Sequence, residues 1–261
     1  PHYPENKVLK RILAYNLFET KKYAEGLAQM QDFFKVIEPE NILPSDYKYY
    51  ARLLSNNEQD SLATEFYLKA IETSDSPKEF YKELSSIYRK MKRYEDAAVY
   101  MKKHLLSADL ALNSDVFTLG QNYYFAGGAI DSAAIAADSS KIIERKNLYV
   151  SADSVFNELA VKTPDNYLGY FWRARVNSIL DPESTDGLAK PHYEKVIEIL
   201  EKLLTESPDK NFKSQLIESY LYLGYYYYLK EDFVNSKIYF NKILAINPDH
   251  TVAKQALAGI K

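Results

Sequence analysis

Residues 217–248 read IESYLYLGYYYYLKEDFVNSKIYFNKILAINP, and this stretch decides the fold. Tyr220, Leu223, Gly224 and Tyr227 recur at three- and four-residue steps, the period of one face of a helix. A polar break, Lys230-Glu231-Asp232, follows. A second run carries Phe233, Ser236, Phe240 and Ile243 and closes at Asn247-Pro248-Asp249, where proline cannot continue a helix. The stretch therefore predicts a helical hairpin. One small residue in each helix lets the backbones approach, and an aromatic ring one turn later fills the space beside it.

The order of these residues resembles the tetratricopeptide pattern W-x2-L-G-x2-Y…A-x3-F…P. Tyr220 stands for the Trp, Ser236 for the small Ala, and Ile243 for the later Ala. The same template finds five more copies. Leu13-Ala14, Leu17, Tyr23, Gly26, Met30 and Phe33 mark the first; Tyr47, Tyr50-Ala51, Leu54, Ala63, Tyr67 and Ala70 the second. Leu84-Ser85, Tyr88, Tyr94, Ala97 and Met101 mark the third. Leu119-Gly120 and Tyr123 open the fourth, whose second helix holds Ala152, Phe156, Leu159 and Pro164. Tyr170, Ala174, Ala189, Tyr193 and Val196 mark the fifth. The small residues of the first helices fall at 14, 51, 85, 120, 174 and 224, so the early steps are 37, 34 and 35 residues and the later ones 54 and 50. The family period is about 34. The fourth unit thus carries an insertion at 127–147, and the fifth a loop at Asp181–Gly187 with a longer second helix.

The resemblance implies an all-α fold, a right-handed α-α superhelix of about six hairpins in one solenoid over 1–261. The units are expected at about 7–40, 44–77, 78–111, 113–165, 167–206 and 217–250, with a capping helix at 251–261. No hairpin buries its apolar face alone, so neighbours must share a core. Within the insertion, Gly127-Gly128 is expected to end a helix and 127–137 to be a loop or irregular turn packed over a groove end. Ile142, Ile143, Tyr149, Ala152, Val155, Phe156 and Leu159 predict one long helix from about Ser140 to Lys162, its first turns projecting, with Asp138, Ser139 or Ser140 as N-cap.

The 261 residues carry a net charge of -3, which argues against a general nucleic-acid binder. There is no cysteine, hence no disulfide, thiolate metal site or thiol nucleophile. The longest apolar run, about Tyr220 to Leu229, is too short for a bilayer span of roughly 20 residues. The chain opens at Pro1 without a visible secretory signal, which reads as a processed or trimmed product. The resemblance to bacterial repeat proteins, several of which sit in the cell envelope, leans the expected compartment that way.

No chemistry assembles. His2, His104, His192 and His250 show no i, i+4 pair, and His104 fills a packing slot. There is no phosphate-binding glycine motif. Asp181-Pro182-Glu183-Ser184-Thr185-Asp186-Gly187 looks faintly like a calcium loop, but its glycine is one position late and its twelfth position is His192. An inter-helix loop before a proline-started helix explains it better. The expectation is a protein that is not an enzyme and takes no cofactor or metal.

In this family the first helix of each hairpin lines a concave groove, beside its small residue. Carried onto this chain, the partner-binding candidates are Phe117, Tyr124, Phe125, Phe171, Trp172, Arg175, Tyr222, Tyr225 and Tyr228 toward the C-terminal end. Arg52, Lys82 and Arg89 join them in a basic middle. Aromatics and arginine are the types that dominate interface energetics. The chaperone-tail clamp of some family members does not carry over, because its slots hold Arg11, Tyr15, Tyr49, Glu79 and Glu83. The expected function is a scaffold binding a peptide or protein segment in the groove, without direct membrane insertion. The alternative is glycan or envelope-polymer binding by aromatic stacking.

Overall fold

A computed structural model describes residues 6–108 and 110–260. Among the described residues there are fourteen α-helices and no strand. They form two compact units, residues 1–111 and 112–261. The first unit holds three hairpins: α1 (Lys7–Glu19) with α2 (Tyr23–Phe34), α3 (Pro44–Asn56) with α4 (Asp60–Thr73), and α5 (Lys78–Lys90) with α6 (Tyr94–Ser107). The second unit begins with α7 (Asn113–Ala129), α8 (Ser132–Ala137) and α9 (Ser140–Lys162). Then come α10 (Tyr167–Leu180) with α11 (Lys190–Glu206), α12 (Lys213–Leu229) with α13 (Phe233–Ile246), and a terminal α14 (Thr251–Gly259). The segment expected as a cap is helical over Thr251–Gly259; its last residue, Lys261, lies outside the described residues.

The hairpin signature explains the packing. Ala14, Ala51 and Ala174 are fully buried, as are Ala63, Ala97 and Ala152 on the second helices. The large residue beside each crossing is also buried: Met30, Tyr67, Met101, Phe156, Tyr193 and Phe240. Where serine replaces the small residue, its hydroxyl is satisfied across the hairpin. Ser85 Oγ donates to the Ala97 carbonyl at 2.7 Å and Ser236 Oγ to the Gly224 carbonyl at 2.9 Å. Buried hydroxyls thereby avoid a desolvation cost of about 1–3 kcal/mol each.

Four hairpin turns share one geometry. Lys21, Glu58, Lys92 and Glu231 adopt φ of 59–63°, the left-handed region that usually takes glycine. In each, the next residue donates its N–H to a carbonyl five residues back: Lys22 to Leu17, Gln59 to Leu54, Arg93 to Tyr88 and Asp232 to Tyr227. This is the Schellman closure, which satisfies carbonyls at the end of the first helix.

The insertion differs from expectation in its first half. Residues 127–137 are not a loop: α7 continues to Ala129, and Ser132–Ala137 form α8. Gly127 does not stop the helix, because it packs inside α7 against the Tyr149 ring, where a Cβ would stand 3.1 Å from the ring. The Asp131 carboxylate caps the alanine-rich α8 by accepting from Ala134 N at 2.8 Å. The long helix α9 has the expected bounds. Asp138 accepts from Ser140 N at 2.9 Å at its start. Its first turns stand out from the packing, with Ile142 54% and Ile143 65% exposed, and burial begins at Leu148.

Candidate functional site

Two offsets from the small residue organise the first-helix face. The residue two positions before it packs on the preceding hairpin. Tyr49 stacks on Tyr15 at 3.8 Å, and Tyr222 lies on Tyr193 at 4.8 Å. Trp172 stacks on Phe156 at 5.4 Å and meets the edges of Phe117 and Tyr124 at 5.8 and 5.1 Å. Glu83 occupies the same offset and takes Arg52 of the preceding hairpin in a two-pronged ion pair.

The residue one position after the small residue faces the following hairpin. Tyr15 OH donates to Asp46 at 2.7 Å, Arg52 pairs with Glu83, and Arg175 grips Glu218 through two bonds of 2.7 and 2.6 Å. Tyrosines complete these networks, with Tyr67 OH donating to Glu83 and Tyr193 OH to Glu218. The Tyr67 hydroxyl pKa is pushed up by burial and by the adjacent Glu83 charge. Burial raises the Glu83 carboxyl, but hydrogen bonds from Arg52 and Tyr67 outweigh it and hold it below the usual carboxylate range. These are charge-assisted bonds, roughly twice as strong as neutral ones.

This geometry revises several candidates. Phe171 and Trp172 are 5% and 8% exposed and belong to the core, so they do not face a groove. Trp172 fills the slot between the fourth and fifth hairpins. The Tyr222 hydroxyl is buried too. Phe117, Tyr124 and Phe125 are half-buried and pack around Trp172. Arg52 and Arg175 are reachable but already neutralised by carboxylates, so the basic middle carries less free charge than the sequence suggests. Arg175 also lies over the Phe171 ring at 4.4 Å. Arg89 is half-buried, and burial lowers its guanidinium pKa. Lys82 is exposed and lines a first-unit cavity of about 580 Å³ with Phe18, Arg52, Asn56 and Ser86.

Tyr225 and Tyr228 do stand at the surface, 44% and 42% exposed. Tyr225 sits one position after Gly224, where Arg175 meets Glu218 in the hairpin before. Here the neighbouring helix is α14, which offers Val252, Gln255, Ala256 and Gly259 instead of a carboxylate or a ring. The result is a cleft of about 240 Å³ with Phe240 at its base.

The loop Asp181–Gly187 is self-contained. The Asp181 carboxylate accepts from the backbone N–H of Thr185, Gly187 and Leu188. Burial raises its pKa, and these bonds more than offset that. Its lone pairs hold the loop together, and Gly187 takes φ +66° there. Among the described residues no group of three or more His, Asp or Glu is placed to hold a metal ion. No helix among them is long and apolar enough to cross a membrane.

A comparison with curated protein sequences gave no match. The tetratricopeptide-repeat family profile matches residues 217–250. Among solved structures, the chain is similar to the C-terminal part of a TPR repeat-containing protein from Cytophaga hutchinsonii. The two are 28% identical over 97% of this chain and 88% of that one, with a TM-score of 0.71. It shares its fold with YrrB, a TPR protein with an unusual peptide-binding site, at 18% identity, TM-score 0.51, over 82% of this chain and 91% of that one. The six-fold hairpin signature, the profile match and the structural likeness agree: residues 217–250 match a tetratricopeptide repeat, and the chain has the all-helical repeat fold of tetratricopeptide-repeat proteins.

Proposed function

We propose that the chain is a non-enzymatic scaffold that binds an extended protein segment along the first-helix face of its second unit. The tetratricopeptide fold is that of protein–protein interaction scaffolds, a family typically without enzymatic activity. The observation that carries the finer reading is the cleft between α12 and α14. There two neighbouring tyrosines are exposed at a position that other hairpins fill with inter-hairpin contacts. Rigid amphipathic rings of this kind supply large contact area at low entropic cost. Arg175 and Glu218 extend the face as a fixed polar pair, which offers both a donor edge and an acceptor edge to a peptide backbone or side chain.

Glycan stacking is less well served. Each exposed ring leans on an apolar neighbour instead of a stacked partner: Tyr225 stands edge-on to Phe240 at 85°, and Tyr228 is tilted 58° from Phe233. The test is quantitative affinity purification from the native source. The wild-type chain and a Tyr225→Ala/Tyr228→Ala variant serve as baits of equal stability. Proteins enriched on the wild type and depleted on the variant support the cleft. An identical set of captured proteins removes it.

A further inference from the structure

The lengthened fourth hairpin builds a second cavity, within the second unit and distinct in residues from the α12–α14 cleft. α8 and the first turns of α9 form one wall, and the C-terminal end of α10 the other, around a volume of about 580 Å³. We propose that this cavity docks a short partner segment in which a carboxylate flanks an apolar side chain. The class of ligand rests on the scaffold reading, and the site owes nothing to the cleft.

The apolar half of the site is Ile135 and Ile142 facing Ile179 and Leu180. Ile142 is 54% exposed, although it lines a concavity where an apolar partner group would bury it. The volume falls in the range of about 300–1,000 Å³ typical of ligand pockets, more than a single side chain requires. The polar half is Arg145 and Lys146, consecutive on α9. Other cations of α9 and α10 are committed: Lys141 to Glu144, Lys162 to Glu158, Arg173 to Asp153 and Arg175 to Glu218. Among the described residues, no carboxylate forms an ion pair with Arg145 or Lys146. The acid nearest in sequence, Glu144, is held by Lys141 at 2.7 Å. The Arg145 guanidinium lies 5.8 Å from the Tyr149 ring centroid, a contact that leaves its N–H fork available. Two uncommitted cations beside an apolar trough match a carboxylate next to a Leu- or Ile-like group. A planar guanidinium recognises a carboxylate through two parallel bonds.

The carboxylate can come from an acidic side chain or from a chain terminus, and the experiment separates the two. Three fluorescein-labelled pools of Leu/Ile-containing octapeptides are titrated by anisotropy. One has a central Glu and an amidated end, one a central Gln and a free C-terminus, and one a central Gln and an amidated end. At least tenfold tighter binding of the first or second pool than of the third is expected, and the pool that gains identifies the source. Arg145→Glu with Lys146→Glu should abolish that difference. Ile142→Asp, which alters the wall and spares both cations, should weaken all acidic binding. Tyr225→Ala/Tyr228→Ala should leave the preference intact. Equal binding of the three pools, or a preference that survives the charge reversal, overturns the proposal. A preference lost only in the tyrosine variant overturns it as well and leaves the cleft reading standing.

Discussion

The approach of two helices at Gly120 makes the packing account quantitative. A Cβ at this position would lie 2.6, 2.8 and 2.9 Å from three atoms of the Phe156 ring. Carbon atoms sit comfortably at about 3.5–4.0 Å, so the ring or the helix must move by about 1 Å. The ring has nowhere to go: Phe156 is fully buried, stacked on Trp172 at 5.4 Å and flanked by Phe117 at 5.9 Å. Overpacking of this kind costs about 1–3 kcal/mol. Replacing a helical glycine by alanine returns about 0.8–1.0 kcal/mol of helix propensity. Gly120→Ala should therefore lose up to about 2 kcal/mol net. Gly259→Ala, at the last residue of α14, whose Cβ would meet nothing within 4 Å, should not lose stability and should gain less than the roughly 1 kcal/mol of an interior helical position. Urea unfolding followed by circular dichroism at 222 nm reads both. Adding Phe156→Leu to Gly120→Ala should recover part of the loss, giving a favourable coupling of at least about 0.5 kcal/mol in the double-mutant cycle. If Gly120→Ala stabilises like Gly259→Ala, or if the pair is additive, the small-residue argument for the hairpin crossing is refuted.

Other outcomes follow from the same structure. Glu58→Gly should raise stability by about 0.5–1 kcal/mol, because it removes the left-handed strain at the second hairpin turn; a loss in the same urea titration would contradict the turn geometry. His192 is held down to about 4 by burial and by the nearby Arg173 charge. The unfolded chain then binds this proton more readily than the folded one, so stability should fall as pH drops from 6.5 toward 4. The full shift is worth about 2 kcal/mol at pH 5, and solvent screening at this half-buried ring reduces it to about 1 kcal/mol. His192→Gln should flatten the melting temperature over that window; an unchanged slope would assign the acid sensitivity elsewhere. Glu83→Gln should weaken the first unit by more than Lys82→Gln, since it removes the charge opposite Arg52 and one of the two acceptor oxygens that Arg52 and the buried Tyr67 hydroxyl share. Equal melting temperatures for the two variants would argue against the network.

The hairpins were legible in the sequence because their signal is local. A small residue and a ring at helical spacing report a close crossing whatever surrounds them, and all six pairs are found where the spacing put them. The long helix Ser140–Lys162 was legible for the same reason. The facing of individual aromatics was not. Trp172 and Tyr222 lie two residues before a small residue, and only the stacking register between hairpins turns that position toward the preceding hairpin. Residue type pulled the other way, since exposed Trp and Tyr are what a binding face displays. The partners of Arg52 and Arg175 lie 31 and 43 residues further along the chain, beyond any helical periodicity. Gly127-Gly128 read as a helix stop, yet there the absence of a side chain serves the close approach of Tyr149. Nor do Lys21, Glu58, Lys92 and Glu231 announce a left-handed turn, because nothing in their chemistry prefers it.

The central claim is that a partner segment lies along the first-helix face of the second unit. Amide hydrogen exchange on the complex with a partner identified by affinity purification tests it most directly. Slowed exchange in the last turns of α12 and in α14, lost in the complex of the Tyr225→Ala/Tyr228→Ala variant, is the predicted result. Protection confined to the second helices α11 and α13, with α12 and α14 unchanged, would contradict it.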